Sequence, residues 1–430
     1  MGASSRAEEV AMEAGEWASV ALAALAGVLA VATLVLVPWR LRSPTRAARE
    51  AALRQVPPGV VARGRALRAA LRPSSYGSLL TGLAAPLLLG LTPAGAAVVR
   101  RVAEPFGGHW LAQAVLGGLA VLAVLWLATL PFAAWRHVVV RRFGLSTQSW
   151  GSWTADLIRG GGLALVLGAV LLAGFYTLAH VAPDWWWAWG AVGAGALVVL
   201  LSFVFPVLIE PVFNTFTSLP AGALRDGLLV MAARDELPVR DVLVADASRR
   251  TTGLNAYVSG FGATRRIVVY DTLLREAPDG EVRSVVAHEL GHAKARDPET
   301  GAILGSVGAA TAVVTLFVLG QWDALLHLAG VDSIGSPEAI GLVTALAALA
   351  GLITSPLQNL VSRRVEARAD QHALQLTGDP AEFAATQLRL AAVNLADVRP
   401  PRTEYVLFAT HPDTVGRLAA AREAGWQGVV

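Results

Sequence analysis

Two histidines bracket a glutamate in "AHELGH", residues 287–292, in a chain with only eight histidines. His288 and His292 are four residues apart, so on a helix both imidazoles leave the same face one turn apart. That is the geometry of a two-histidine clamp on one metal ion. Glu289, beside the first ligand, can reach a water held there. A catalytic zinc takes three protein ligands and keeps one position open, and two histidines with a glutamate are an established set. The third ligand is then expected to be a carboxylate on a second helix. Glu366 in "SRRVEARAD" is the candidate, and Asp370, one turn further on, is placed to orient a ligand histidine through its free ring N–H. The competing readings are two ordinary partly buried histidines and an exposed Arg/Glu helix face. Cysteine is absent, which removes thiolate ligands, disulfides and a cysteine nucleophile.

These residues need helices to hold them. Pro278 and Asp279 open a helix through the histidine motif, with Asp279 as the expected N-cap. Residues 359–377 read as the helix carrying Glu366 and Asp370, and Pro380 starts another. Residues 220–237 read as an amphipathic helix. The segments 241–248, 255–262 and 265–271 are short, β-branched and turn-bounded, so they read as strands, the last two as a hairpin around residues 260–264.

The chain is 54% hydrophobic and 16% charged, against about 25% charged in soluble domains. That deficit points to a protein embedded in the lipid bilayer. Seven stretches of roughly 20 apolar residues qualify as spans, near 17–38, 77–99, 110–135, 161–182, 185–209, 301–322 and 339–357. Pro86 and Pro93 interrupt the second. The segment 40–75 holds nine arginines and one acid, Glu50, and is expected on the cytoplasmic side. The loop around Arg136, Arg141 and Arg142 follows it there, and Arg100 and Arg101 are the dissent. The polar segments 210–300 and 358–430 are then both cytoplasmic. Two spans separate His292 from Glu366, and an even number of crossings returns the chain to the same side, so the ligands can meet. The formal charge of +3 is too small to argue for nucleic acid as a partner. The Arg- and Ala-rich composition hints at a GC-rich bacterial genome, hence a bacterial inner membrane.

"HELGHAKARD" followed by "NLVSRRVEARAD" resembles the type I CAAX prenyl protease family, integral-membrane zinc metalloproteases of the gluzincin type. "RRFGLSTQSWGSWTAD", "FPVLIEPVFNTF", "ASRRTTGLNAYVSGFGATRRIVVYDTLL" and "THPDTVGRL" extend the resemblance over about 130–420. It implies a mainly α, multi-span membrane protein of about seven transmembrane helices. A cytoplasmic gluzincin-like zinc metalloprotease domain containing a small β-sheet would be split by a membrane hairpin. The expected segments are an N-terminal membrane region 1–209, a first catalytic piece 210–300, a two-span hairpin 301–357 and a second catalytic piece 358–430. The resemblance further implies a large chamber enclosed by the spans. One zinc ion would be held by His288, His292 and Glu366, with Glu289 as general base and then acid, and Asp370 behind a ligand. Asn255 would lie beside the substrate peptide, and His411 and Arg417 would contact the substrate or the developing oxyanion. By residue type alone, Asn255 also reads as a turn residue, His411 as a loop cap and Arg417 as a solvated helix charge. Arg363 and Arg364 read as structural, one of them anchoring the Glu366 helix to an acid. The implied activity is hydrolysis of a peptide bond near the C-terminus of a CAAX-type, prenylated or otherwise membrane-associated peptide. The alternatives are a quality-control protease acting on membrane proteins and a non-enzymatic zinc-binding transporter or scaffold.

Overall fold

Backbone polar groups cannot go unpaired in lipid, so long apolar stretches must be helical. The computed structural model describes residues 2–428. Among the described residues, six helices are long and apolar enough to cross a membrane: Met12–Leu36, Trp110–Arg142, Trp150–Val181, Trp186–Val204, Asp297–Leu319 and Pro337–Thr377. The pair Pro58–Gly90 and Ala94–Phe106, bent by 71°, makes a seventh if it is counted as one span. Pro86 is absorbed inside its helix, and the break falls at 91–93. Pro93 there cannot donate a backbone hydrogen bond and would clash with the preceding turn. Arg100 and Arg101, expected in a loop, lie in the last turn of the helix Ala94–Ala103.

Neighbouring spans meet pairwise. Pro58–Gly90 packs between Gly118–Arg142 and Ile340–Thr377, while Asp297–Leu319 packs on both Gly2–Leu36 and Trp186–Val204. At one crossing Gly90 meets Gly341, where a Cβ on Gly90 would lie 2.3 Å from the Gly341 carbonyl oxygen. Only glycine lets the two backbones come that close. In the most apolar window of each of the six spans at most 22% of the residues are buried, so most of them keep some surface uncovered by protein.

The polar segments share one hydrophobic core. It joins Leu228, Val242, Ile267, Val269, Val286 and Leu290 to Phe383 and Leu418. Four strands form a mixed sheet in the order β1-β2-β4-β3: β1 Phe216–Ser218, β2 Asp241–Ala245, β3 Ala256–Ser259 and β4 Arg266–Tyr270. The β3–β4 pair is the expected antiparallel hairpin, β2 runs parallel to β4, and β3 lies at the edge. The three-residue β1 was not foreseen, being too short to show an alternation.

Ala52, Val56 and Val60 also enter this core, from a segment read in sequence as a mere basic connection. The helix Arg46–Gln55 starts at Thr45, whose side chain accepts from the Ala48 N–H, and stops just before Pro57 and Pro58. Arg49 pairs with Asp413 at 2.6 Å, and both Arg68 and Arg72 pair with the buried Glu404.

Candidate active site

The helix Asp279–Lys294 brings His288, Glu289 and His292 to the core. Its N-cap is Pro278, and Asp279 is the first helical residue without a capping bond, which corrects the expected start. Asp279 and Glu281 in its first turn still suit the positive end of the helix dipole. Glu366 and Asp370 lie on Ile340–Thr377. That helix is one 38-residue rod running through Pro356, so the last apolar span and the ligand helix are a single element. The two helices pack on each other, with His288, Glu366 and Asp370 all buried between them.

The donor atoms converge. His288 Nε2 lies 3.2 Å from His292 Nε2 and 3.2 Å from Glu366 Oε2, and His292 Nε2 lies 3.5 Å from Glu366 Oε1. One ligand atom from each residue falls within 4.8 Å of the others. The opposite ring nitrogens face carboxylates: His292 Nδ1 is 2.8 Å from Asp297 Oδ2, and His288 Nδ1 is 3.0 Å from Asp370 Oδ1. A proton on each Nδ1 leaves both Nε2 lone pairs aimed at one point beside a carboxylate. Such a cluster of acceptors is repulsive unless a cation fills it. The titration behaviour agrees: burial lowers the His292 pKa, yet Asp297 and Glu366 push it up to about 10, so without a metal the site would hold a proton instead. Two imidazoles and a carboxylate are a donor set that suits zinc.

Asp297 was missed in sequence. It follows Arg296, a non-glycine residue at φ 55°, a region that costs ordinary L-residues energy. This left-handed turn joins the histidine helix to the span Asp297–Leu319 and swings Asp297 back under His292. Arg368 on the long rod pairs with the other oxygen of Asp297.

The remaining predicted residues lie around the same point. His411 Nε2 is 3.3 Å from Glu366 Oε1, and its side chain is largely exposed. Arg417 contacts Glu366 Oε2 at 3.2 Å, Asp370 Oδ2 at 3.1 Å and Gln387 Oε1 at 3.2 Å, so it braces the acids behind the ligands. A cleft of about 280 Å³ is lined by Asn255, Glu289, His411 and Arg417, among others. Glu289 also lines a smaller hollow against Val258 and Phe261 at the β3 edge. Burial raises the Glu289 carboxyl above its ordinary range before any cation's charge is counted. Asn255 immediately precedes β3, and its carbonyl accepts from the Tyr270 N–H. Arg363 donates to the carbonyls of Tyr405 and Ala409, and Arg364 to that of Leu41. The expected acid anchor is thus a set of carbonyls, from Leu41 just past the first span and from the helix Arg402–Phe408 and its end.

Residues 218–425 match the model of peptidase family M48, and residues 75–215 match that of the CAAX prenyl protease N-terminal region, five membrane helices. A CAAX prenyl protease 1 homolog of Oryza sativa is 31% identical over 326 residues, covering 72% of this chain and 74% of its own. An uncharacterized metalloprotease of Bacillus subtilis is 28% identical over 302 residues, 69% of this chain and 70% of its own. The crystal structure of S. mikatae Ste24p superposes with a TM-score of 0.76 over 96% of this chain and 99% of that one. At 22% identity, that likeness speaks for the fold.

Proposed function

From the premise that the chain belongs to the CAAX prenyl protease family within peptidase family M48, and is an integral-membrane metalloendopeptidase, we propose that it cleaves near the C-terminus of CAAX-type, lipidated or similar membrane-associated peptides. His288, His292 and Glu366 hold one zinc ion in this reading. Its main support is the convergence of two Nε2 atoms and a carboxylate, with both Nδ1 atoms already facing acids. When bound, zinc lowers the pKa of a coordinated water toward about 7 and polarises the scissile carbonyl.

The protein's own groups do the rest. Glu289 stands between the cleft and the β3-edge hollow, within the turn that carries His288, and takes the proton of the attacking water. It then returns that proton to the leaving amine. His411, exposed into the cleft, donates to the oxyanion as it develops. Arg417 fixes the Glu366 and Asp370 carboxylates while also facing the cleft, and Asp370 and Asp297 hold the histidine rings. An extended substrate lies along the free edge of β3 past Asn255, where main-chain pairing is open. Segments 210–300 and 358–430 act as one catalytic domain on the cytoplasmic face, beside the arginine-rich stretch 40–75 that shares its core.

The test is cleavage by the purified full chain of a farnesylated CAAX peptide, its unprenylated twin and an unfolded membrane protein, each with and without a zinc chelator. Chelator-sensitive cleavage that requires the lipid is the expected result. Equal cleavage of all three would replace this substrate class with broad membrane-protein proteolysis.

A further inference from the structure

A second cavity, of about 940 Å³, runs along the long rod from Leu360 to Gly378 and shares Pro412 and Arg417 with the active-site cleft. Its walls carry seven arginines, Arg40, Arg42, Arg49, Arg363, Arg364, Arg402 and Arg417, against two acids, Asp370 and Glu423. Both acids are engaged. Asp370 faces His288 and Arg417, and Glu423 accepts from the Thr45 N–H at 2.7 Å. Four of the arginines are engaged as well: Arg49 with Asp413, Arg363 and Arg364 with carbonyls, and Arg417 with Glu366, Asp370 and Gln387. The side chains of Arg40, Arg42 and Arg402 have no hydrogen-bond or ion-pair partner among the described residues. They come from two distant parts of the chain and border one hollow.

Three unneutralised guanidiniums around a roomy cavity make a site for a multiply charged oxyanion, since the guanidinium fork matches phosphate geometry. The position narrows the source. Arg40 follows Trp39, just past the end of the first span at Leu36, and Leu360 of the long rod lines the same cavity. The mouth therefore lies where an apolar helix leaves the bilayer, at the depth of lipid headgroups. A volume of this size accommodates a headgroup rather than a single small ion.

We propose that this cavity, through Arg40, Arg42 and Arg402, binds a phosphate-bearing anion of the kind an anionic phospholipid headgroup presents. Arg40, Arg42 and Arg402 make no contact with the metal cluster, although the inner wall of the cavity reaches Asp370 and Arg417 behind it.

The test is native mass spectrometry of the full chain in detergent with dioctanoyl phosphatidic acid, with dioctanoyl phosphatidylcholine, and with inorganic phosphate as competitor. The wild type is expected to retain phosphatidic acid over phosphatidylcholine. The triple variant Arg40→Gln, Arg42→Gln, Arg402→Gln is expected to bind phosphatidic acid about a hundredfold more weakly. Arg46→Gln, whose side chain is 93% exposed and pairs with Glu50, is the control and should bind as the wild type does. Displacement by inorganic phosphate would assign the site to free phosphate, and resistance to displacement to the lipid; both support the anion site. Equal retention of the two lipids, or wild-type binding by the triple variant, would overturn it. The three side chains have no partner among the described residues, so the triple variant should melt with the wild type. Should it fail to fold, Arg402→Gln alone, with about a fivefold loss expected, decides the matter.

Discussion

His292 takes its partner Asp297 from five residues ahead, across a left-handed turn at Arg296, and that carboxylate fixes which ring nitrogen is left for a metal. His288 with His292, and Glu366 with Asp370, obey helical i,i+4 spacing, so each pair was legible once a helix was assumed. Asp297 obeys no such period. Its role depends on a backbone conformation that residue type alone does not announce, and it stood unused in the quoted motif. The same holds for Gln387, which meets Arg417 only through tertiary packing. Asp297→Asn keeps the shape but weakens the hold on His292. It is expected to lower zinc affinity about ten- to a hundredfold, as the loss of such outer partners commonly does. Competition against a fluorescent zinc chelator measures this, and an unchanged affinity would mean that Asp297 serves Arg368 alone.

The elements were more legible than their joins. The β3–β4 hairpin and the helices around the site follow from alternation, apolar period and proline placement. The rod Ile340–Thr377 was read as two pieces because Pro356 and a change from apolar to charged composition suggested a boundary. Proline inside a membrane helix is tolerated where neighbours satisfy the backbone. The basic segment after the first span was read only for its charge, and its part in the domain core was hidden because its partners lie more than 300 residues away. Glu404 tests that tie. Although burial opposes it, Arg68 and Arg72 hold the Glu404 carboxyl below its usual range. Glu404→Gln leaves two guanidiniums facing a neutral amide and is expected to cost about 1–3 kcal/mol, discounted because Arg72 is half exposed. A depressed folded pKa contributes stability that is present above the unfolded value and is lost as pH falls through the folded one. The gap in melting temperature between wild type and variant should therefore be full near neutral pH and close as the pH falls below about 4. A gap that persists at acid pH would show that the carboxylate charge is not what matters.

At the scale of the whole molecule, composition alone placed the chain in a membrane, and hydropathy gave the number of spans once the bent pair at 91–93 is counted as one. Hydropathy could not give the bend, because it reports how apolar a stretch is and not its direction. The even number of crossings between His292 and Glu366 required the ligand helices to share a side, and the structure packs them together. In the proposed mechanism a zinc ion sits between these two helices and Glu289 moves the proton as a peptide bond is hydrolysed. Metal content per chain, measured beside peptide cleavage for Glu289→Gln and Glu366→Ala, tests it most directly. Glu289→Gln is expected to keep its zinc yet lose about a hundredfold or more in rate, while Glu366→Ala is expected to lose the zinc and the activity together. Near wild-type turnover by Glu289→Gln, or full zinc content in Glu366→Ala, would contradict it.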